Sequence, residues 1–111
     1  MPKIYVVNDS GHDFSPAKAW GDDIIFLSEG RLNRYAINQM YRLFSEKLEN
    51  SKPDDYILST GLTQMNQIAA AIFARMHGTL NLLIYKDGGY VERKLVLDKL
   101  IDMEGEDEPY G

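Results

Sequence analysis

Short apolar runs separated by polar turns predict four buried strands. The runs are Ile4–Val7, Ile24–Leu27, Tyr56–Leu58 and Leu80–Tyr85. Each has the length of a strand, whereas a core helix needs about ten residues or more. Residues 90–97 alternate polar and apolar side chains directly after Asp87-Gly88-Gly89, a sequence that tolerates the positive φ of a tight turn. We therefore expect a hairpin whose second strand lies antiparallel at the edge of the sheet.

Two longer segments show helical periodicity. Apolar residues recur every three or four positions across 33–50 and 62–77, so each segment presents one apolar stripe to a core. The first stripe is Ile37, Met40, Tyr41, Phe44 and Leu48. The second stripe is Met65, Ile68, Ile72, Phe73 and Met76. Gly78 follows the second helix and is the expected C-terminal cap.

The order of these elements predicts an α/β fold. Strands and helices alternate from the second strand to the fourth, a pattern typical of a parallel sheet with right-handed helical crossovers. We expect a small Rossmann-like domain of two or three layers, with a mostly parallel sheet and a C-terminal antiparallel hairpin. This single domain spans residues 1–98, and residues 99–111 form an acidic C-terminal tail.

Composition and charge narrow the possible partners. The chain has 111 residues and a net charge of −5, and five acidic residues within the last ten account for all of that charge. Residues 1–101 are thus formally neutral, which argues against binding to nucleic acid. No apolar run reaches the about 20 residues that span a bilayer, so no membrane partner is expected. The lack of cysteine excludes disulfides, thiolate chemistry and Cys-based zinc sites, and a cytoplasmic location is the simplest interpretation.

Small and polar residues follow three of the predicted strands and form the candidate ligand-binding site. They are Asn8, Asp9, Ser10 and His12 after the first strand, Ser28 and Glu29 after the second, and Ser59, Thr60, Gly61 and Thr63 after the third. If these strands are parallel, the three loops lie on one rim of the sheet, whatever the strand order. In open α/β sheets, ligands bind beyond the carboxyl ends of the strands.

Ser59-Thr60-Gly61 has the clearest chemistry of the three loops. Gly61 lets a ligand approach the backbone, the two hydroxyls can donate hydrogen bonds, and free N–H groups at the start of the second helix favour an anion. The alternative interpretation is that Thr60 or Thr63 caps this helix and binds nothing. The segment is neither a Walker loop nor a GxGxxG fingerprint, because Gly61 stands alone and no lysine follows it.

Two further clusters have an ordinary structural interpretation beside a functional one. Asp9, His12 and Asp13 could hold a divalent ion or transfer protons, but their spacing matches no established ligand motif and such residues commonly form turns. Arg31, Arg34 and Arg42 cluster loosely and are surrounded by Glu29, Glu46 and Glu49, so we expect them on a solvated helix face of mixed charge.

Four segments resemble a family of small bacteriophage proteins. They are Val7–Phe14, Met40–Arg42, Pro53–Leu58 and His77–Leu83. This resemblance implies a phage-encoded protein and brings no activity with it. Separately, residues 58–78 resemble in layout the strand–Thr-Gly–helix unit of the cyclic-oligonucleotide-sensing Rossmann-like (CARF) domains. Where those domains have a Gly-Gly-Thr-Lys run, this chain has Gly61-Leu62-Thr63-Gln64, without the basic residue.

These features together predict a non-enzymatic binding module, a phage-encoded accessory protein that holds a nucleotide-like anion or a host protein at the rim. We assign no catalytic residue, metal ligand or cofactor. The alternative function is a structural or virion-assembly component that packs against copies of itself or another protein, with the 90–97 edge strand as a pairing surface. An enzyme acting through Asp9, His12 or Glu29 is a third hypothesis. The expected location is the cytoplasm of the host.

Overall fold

The computed structural model describes residues 1–97, within which a five-stranded sheet carries two α-helices and a short 3₁₀ helix. The strands are β1 (Lys3–Val6), β2 (Asp23–Phe26), β3 (Tyr56–Leu58), β4 (Thr79–Lys86) and β5 (Gly89–Val96). The helices are α1 (Ile37–Leu48) and α2 (Thr63–His77), and the 3₁₀ helix is Ser15–Ala19. The predicted α/β fold is confirmed. The acidic tail predicted for 99–111 lies outside the described residues.

The sheet has the strand order β2-β1-β3-β4-β5. β1 pairs in parallel with both β2 and β3, and β3 pairs in parallel with β4, whereas β5 is antiparallel to β4. The tight turn of this last hairpin uses Asp87 at φ 51° and Gly88 at φ 82°. The mostly parallel sheet and the antiparallel C-terminal hairpin are therefore both as predicted.

The two faces of the sheet bury different layers, because successive strand residues point to opposite sides. Both α-helices pack on one face, where Phe44 of α1 and Phe73 of α2 join Tyr5 and Ile57 in a single core cluster. The opposite face is covered by the 3₁₀ helix and its flanking aromatic residues, with Phe14 and Trp20 packed against Val6, Tyr56 and other strand residues. The fold thus has a thick helical layer, the sheet and a thin third layer.

Polar side chains at the N-terminal ends of the parallel strands are buried and form hydrogen bonds with backbone groups. Asp55 is 2% exposed, and its two carboxylate oxygens accept hydrogen bonds from Lys3 N at 2.9 Å and Lys52 N at 2.7 Å. Asn81 is 3% exposed, and its Nδ2 donates to the carbonyls of Pro53 at 2.7 Å and Asp55 at 2.8 Å. These bonds tie the loop before β3 to the starts of β1 and β4.

Helix α1 differs from the prediction in where it begins and in which residues it buries. It begins at Ile37 instead of Asn33, because Asn33 Oδ1 accepts a hydrogen bond from Tyr35 N at 2.9 Å and holds a turn there. Tyr41, predicted in the core stripe, is 59% exposed. The buried stripe is narrower, with Met40, Phe44 and Leu48 at four-residue spacing, and Tyr41 lies one position further round the helix.

The remaining helix signals have mixed outcomes. Gly78 ends α2 in the left-handed conformation at φ 67°, as its position predicted. Met76, placed in the apolar stripe of the same helix, is 43% exposed. Within residues 1–97, helices that combine the length and the apolar character of a membrane span are absent.

Candidate functional site

The topology creates a crevice at the carboxyl ends of β1 and β3. From β1 the chain crosses to β2 over the face that holds the 3₁₀ helix, whereas from β3 it crosses to β4 through α2 on the other face. Adjacent strands whose connections leave in opposite directions form a topological switch point, where ligands of open α/β sheets bind. The loops after β1 and β3, which the sequence analysis singled out, lie at this point.

Backbone hydrogen bonds join the loop after β1 to the loop after β2. Asp9 N donates to the Ser28 carbonyl at 2.8 Å, and Gly30 N donates to the Asp9 carbonyl at 2.9 Å. The Ser28 side chain lies beneath them, with its Oγ 2.7 Å from the Val7 carbonyl and 2.9 Å from Asn8 Oδ1. Ser28 and Asn8 are 6% and 4% exposed, so this pair forms the floor of the rim and fixes the loops above it.

Two separate spaces open on either side of the Ser59-Thr60-Gly61 turn. We call the first the arginine groove. It encloses about 720 Å³ and is lined by Asn8, Asp9, Ser10, Gly30, Arg31, Leu32, Arg34, Gly61, Leu62 and Met65. We call the second the aromatic cleft. It encloses about 410 Å³ and is lined by His12, Asp13, Phe14, Leu58, Ser59, Thr60, Tyr85 and Tyr90. The predicted site residues are thus divided between two spaces, and Ser28, Glu29 and Thr63 lie outside both.

The arginine groove contains two cations that the sequence analysis placed elsewhere. Arg31 and Arg34 were expected on a solvated helix face, but they belong to the loop that leads from β2 into α1. Both side chains are exposed, and both line the groove together with Gly61. For Arg34 the cause is the start of α1, since a helix beginning at Asn33 would contain this residue, whereas the observed helix begins at Ile37.

The turn before α2 is held in a way that leaves the helix N-terminus without a side-chain cap. The cap position is Leu62, and among residues 1–97 no side chain caps the first helical N–H groups. Thr60 N donates instead to Asn66 Oδ1 at 3.0 Å, while Asn66 Nδ2 donates to the Leu62 carbonyl at 3.1 Å. The predicted capping by Thr60 or Thr63 is therefore wrong, because Asn66 holds the turn from inside the helix.

Gly61 is required by both the conformation and the packing of this turn. Its φ is +88°, and a Cβ at this position would lie 3.1 Å from both Asn8 Cβ and Met65 Sδ. Any larger residue would therefore push against the floor of the arginine groove. The missing side chain of Gly61 thus permits a contact within the protein, between the turn and the loop after β1, and the predicted approach of a ligand stays a prediction.

Aromatic rings form much of the second space. Tyr85 and Tyr90 meet edge to face with ring centroids 5.8 Å apart, and His12 and Phe14 meet similarly at 6.2 Å. Burial, with the nearby Tyr85 and Asp13, raises the pKa of Tyr90 above its ordinary value. Tyr85 itself is 65% exposed, so one of its faces is available for stacking by a planar ligand.

The acidic residues near His12 form turns. Asp13 Oδ1 accepts from Ser15 N at 2.9 Å, and this bond lowers the pKa of Asp13. Asp9 Oδ1 accepts from Gly11 N at 3.1 Å. Asp9 lines the arginine groove, whereas His12 and Asp13 line the aromatic cleft. Within residues 1–97, no three His, Asp or Glu side chains meet as a metal-binding group.

The strand order and the two spaces at the switch point define a small Rossmann-like α/β domain with room for a ligand at its strand ends. The chain belongs to the Phage Pam3 gp32-like protein family, whose model matches residues 2–96. The predicted resemblance to small phage proteins is thereby confirmed, and the family indicates a phage-encoded accessory or structural protein. Neither a search of curated proteins nor a search of solved structures found a match.

Proposed function

We propose that this protein is a non-enzymatic binding module that holds a nucleotide-like anion at the switch point of its sheet. The observation that supports this most directly is that Arg31 and Arg34 line the same groove as Gly61 and the start of α2. The arginines, the glycine and the helix start each have an ordinary structural explanation when considered alone. Together they place positive charge, backbone N–H groups and a residue without a side chain around one space.

The groove suits a phosphate group for three physical reasons. Guanidinium groups present several N–H donors in a plane and bind phosphate oxygens in pairs. The first N–H groups of α2 have no partner within the helix, and with no side-chain cap they are available to an anion favoured by the helix dipole. Thr63 lies in this first turn and is exposed but does not line the groove, so the donors proposed here are the guanidinium groups and the backbone N–H groups.

Two features favour a nucleotide over inorganic phosphate. Asp9 also lines the groove, and a carboxylate repels free phosphate but accepts hydrogen bonds from sugar hydroxyls. The aromatic cleft lies on the other side of the Ser59-Thr60-Gly61 turn, where the exposed ring of Tyr85 can stack on a planar base. The volumes of about 720 Å³ and about 410 Å³ fall within the range of small-molecule sites.

Isothermal titration against a panel of nucleoside mono-, di- and triphosphates, with inorganic phosphate alongside, tests the proposal. We expect at least one nucleotide to bind more tightly than inorganic phosphate. Arg31→Ala combined with Arg34→Ala should weaken that binding about 10-fold or more, because charge-assisted hydrogen bonds are lost. Thr60→Val should have a smaller effect.

Arg42→Ala is the matched control, since Arg42 is an exposed arginine of α1 outside the groove. It should leave the affinity unchanged. No heat with any nucleotide would contradict the proposal and favour a host protein as the occupant of the rim. An Arg42→Ala effect equal to that of the double variant would show that only general charge attraction is involved.

A further inference from the structure

The two edges of the sheet differ in a way that bears on assembly. β2 forms one edge with four residues, beginning at the exposed Asp23, whereas β5 forms the other with eight residues. Leu95 and Val96 of β5 are 45% and 66% exposed. A long edge strand invites pairing with another strand, and proteins usually shorten or charge such edges. β2 is short, whereas β5 is long and carries Glu92, Arg93 and Lys94 at its centre, so these charges determine which strand it can accept.

The register of the hairpin shows which backbone groups of β5 point away from β4. Val96 lies opposite Thr79 in the pairing with β4, and Leu97 N donates to the Gly78 carbonyl at 2.8 Å. In an antiparallel ladder, hydrogen-bonded residues alternate with residues whose N–H and C=O point away. The outward-pointing groups therefore belong to Tyr90, Glu92, Lys94 and Val96. Arg93 Nη1 already donates to the Glu92 carbonyl at 2.7 Å, as expected for an outward acceptor.

We propose that β5 pairs antiparallel with β5 of a second copy of this chain, about a two-fold axis at Arg93. In this register Glu92 lies opposite the partner's Lys94, and Lys94 lies opposite the partner's Glu92. Tyr90 lies opposite the partner's Val96 on the same face. On the other face, Val91 lies opposite the partner's Leu95. The sheet would then run continuously through both copies.

The charge pattern of β5 selects this register over its neighbours. In an antiparallel pair, residues that lie opposite each other point to the same face of the sheet. A two-fold axis between the two β5 strands must therefore pass beside one residue, which lies opposite the same residue of the second copy. An axis at Glu92 would place two glutamates opposite each other, and an axis at Lys94 would place two lysines opposite each other. Directly opposed like charges destabilise a pair of strands, whereas opposite charges stabilise it. The axis at Arg93 has one like-charge contact, between the two Arg93 residues, against two symmetric pairs of Glu92 and Lys94.

The exposure of these side chains is compatible with such pairing. The Lys94 side chain is 56% exposed, and its Nζ lies 3.7 Å from Glu92 Oε2 of its own chain. Lys94 is therefore near the Glu92 carboxylate of its own chain, which in the proposed dimer would also lie opposite the partner's Lys94. Glu92 also accepts a hydrogen bond from the Tyr56 hydroxyl, which fixes the carboxylate on the face where the pairing requires it. This inference does not depend on the arginine groove, because it uses none of the residues that line it, and it shares only Tyr90 with the aromatic cleft.

Sedimentation velocity at increasing protein concentration, with charge-reversal variants, tests the inference. The wild-type chain should reach twice the monomer mass. Lys94→Glu and Glu92→Lys should each remain monomeric, because each places like charges opposite each other. An equimolar mixture of the two variants should again reach twice the monomer mass, since both pairs between positions 92 and 94 then carry opposite charges. Lys47→Glu, at an exposed position of α1, is the matched control and should behave as the wild type.

Glu92→Lys also removes the hydrogen bond from Tyr56, so a second variant is needed that blocks the edge and keeps Glu92. Lys94→Pro removes an N–H that points away from β4, so the hairpin keeps its ladder while the edge is blocked. It should be monomeric and folded by circular dichroism. A wild-type monomer at the highest concentration would overturn the inference. A dimer that persists in Lys94→Glu and Lys94→Pro would also overturn it, and would point instead to the exposed helix face around Tyr41.

Discussion

The two ends of the parallel sheet both carry polar side chains but use them in opposite ways. At the N-terminal edge, Asp55 and Asn81 are buried and bond to backbone groups of neighbouring loops. At the C-terminal rim, Arg31, Arg34 and Ser59 are exposed beside ligand-sized spaces. The comparison teaches that polar groups satisfied inside the protein stabilise the fold. The exposed polar groups at the switch point are the ones on which the proposed function rests.

Removing the Asp55 carboxylate should have the largest effect on stability. Asp55→Ala removes a buried carboxylate and leaves the partly buried N–H groups of Lys3 and Lys52 without their acceptor, so the free energy of unfolding should fall by about 2–4 kcal/mol. Urea denaturation followed by circular dichroism measures this. Asp54→Ala, at the exposed neighbouring position, is the control and should change little. Equal effects of the two variants would show that the N-terminal edge is not held by Asp55.

Gly61 combines a positive φ with close packing against its neighbours, and a comparison with Gly88 separates the effects of these two features on stability. Gly61→Ala and Gly88→Ala both place a side chain at positive φ, which costs about 1–2 kcal/mol. Only Gly61→Ala also brings a Cβ within 3.1 Å of Asn8 and Met65, whereas Gly88 has open space around it. Gly61→Ala should therefore lower the unfolding midpoint further than Gly88→Ala. An equal loss would mean that the groove floor yields to the extra methyl group.

Tyr56 should make the protein sensitive to alkaline pH. Burial and the hydrogen bond to Glu92 raise the pKa of Tyr56 from 10.0 to about 12. Because the raised pKa means that the folded state holds the proton more tightly, this stabilisation is complete below pH 10. It is lost as the pH rises towards 12. The loss should be about 1–2 kcal/mol.

The pH dependence of unfolding tests this linkage. Tyr56→Phe should show a shallower fall in stability between pH 10 and pH 12 than the wild type. Part of the slope should remain, since burial also raises the pKa of Tyr5 and Tyr90. Tyr35→Phe, at a side chain that is 81% exposed, is the control and should follow the wild-type curve. The linkage would be refuted by identical slopes in wild type and Tyr56→Phe.

The smallest stability effect should come from the arginines of the groove. Arg31→Ala and Arg34→Ala remove exposed side chains, so each should change the free energy of unfolding by less than about 0.5 kcal/mol. Thermal unfolding without ligand measures this. The same variants should reduce the upward shift of the melting temperature that a bound nucleotide produces. A large loss of intrinsic stability would instead place these arginines in the scaffold.

The strands and the hairpin could be predicted because their signals are local. Continuous apolar runs such as Ile4–Val7 are typical of buried parallel strands, and Asp87-Gly88 has the backbone freedom that the hairpin turn uses. The rim could also be predicted, since it needs only that the first three strands be parallel. The strand order could not, because periodicity within an element contains no information on how far a crossover travels.

The errors at the site come from competition between local hydrogen bonds. Asn33 bonds to Tyr35 N and delays the start of α1, so Arg34 lies in a loop and lines the groove. Asn66, which lies within α2, accepts a hydrogen bond from Thr60 N and holds the turn, while the capping expected of Thr60 or Thr63 does not occur. In both cases an asparagine side chain competes with a helical backbone. Helical periodicity alone cannot show which bond is preferred.

An NMR titration of the ¹⁵N-labelled protein with the nucleotide that binds most tightly in calorimetry tests the central claim most directly. If the arginine groove is the recognition site, backbone amide signals of Gly61–Met65 and the side-chain Nε–H signals of Arg31 and Arg34 should shift with increasing nucleotide. The buried N-terminal edge around Asp55 should stay unchanged. Shifts confined to the helix face around Tyr41, or none with any nucleotide in the panel, would contradict the account.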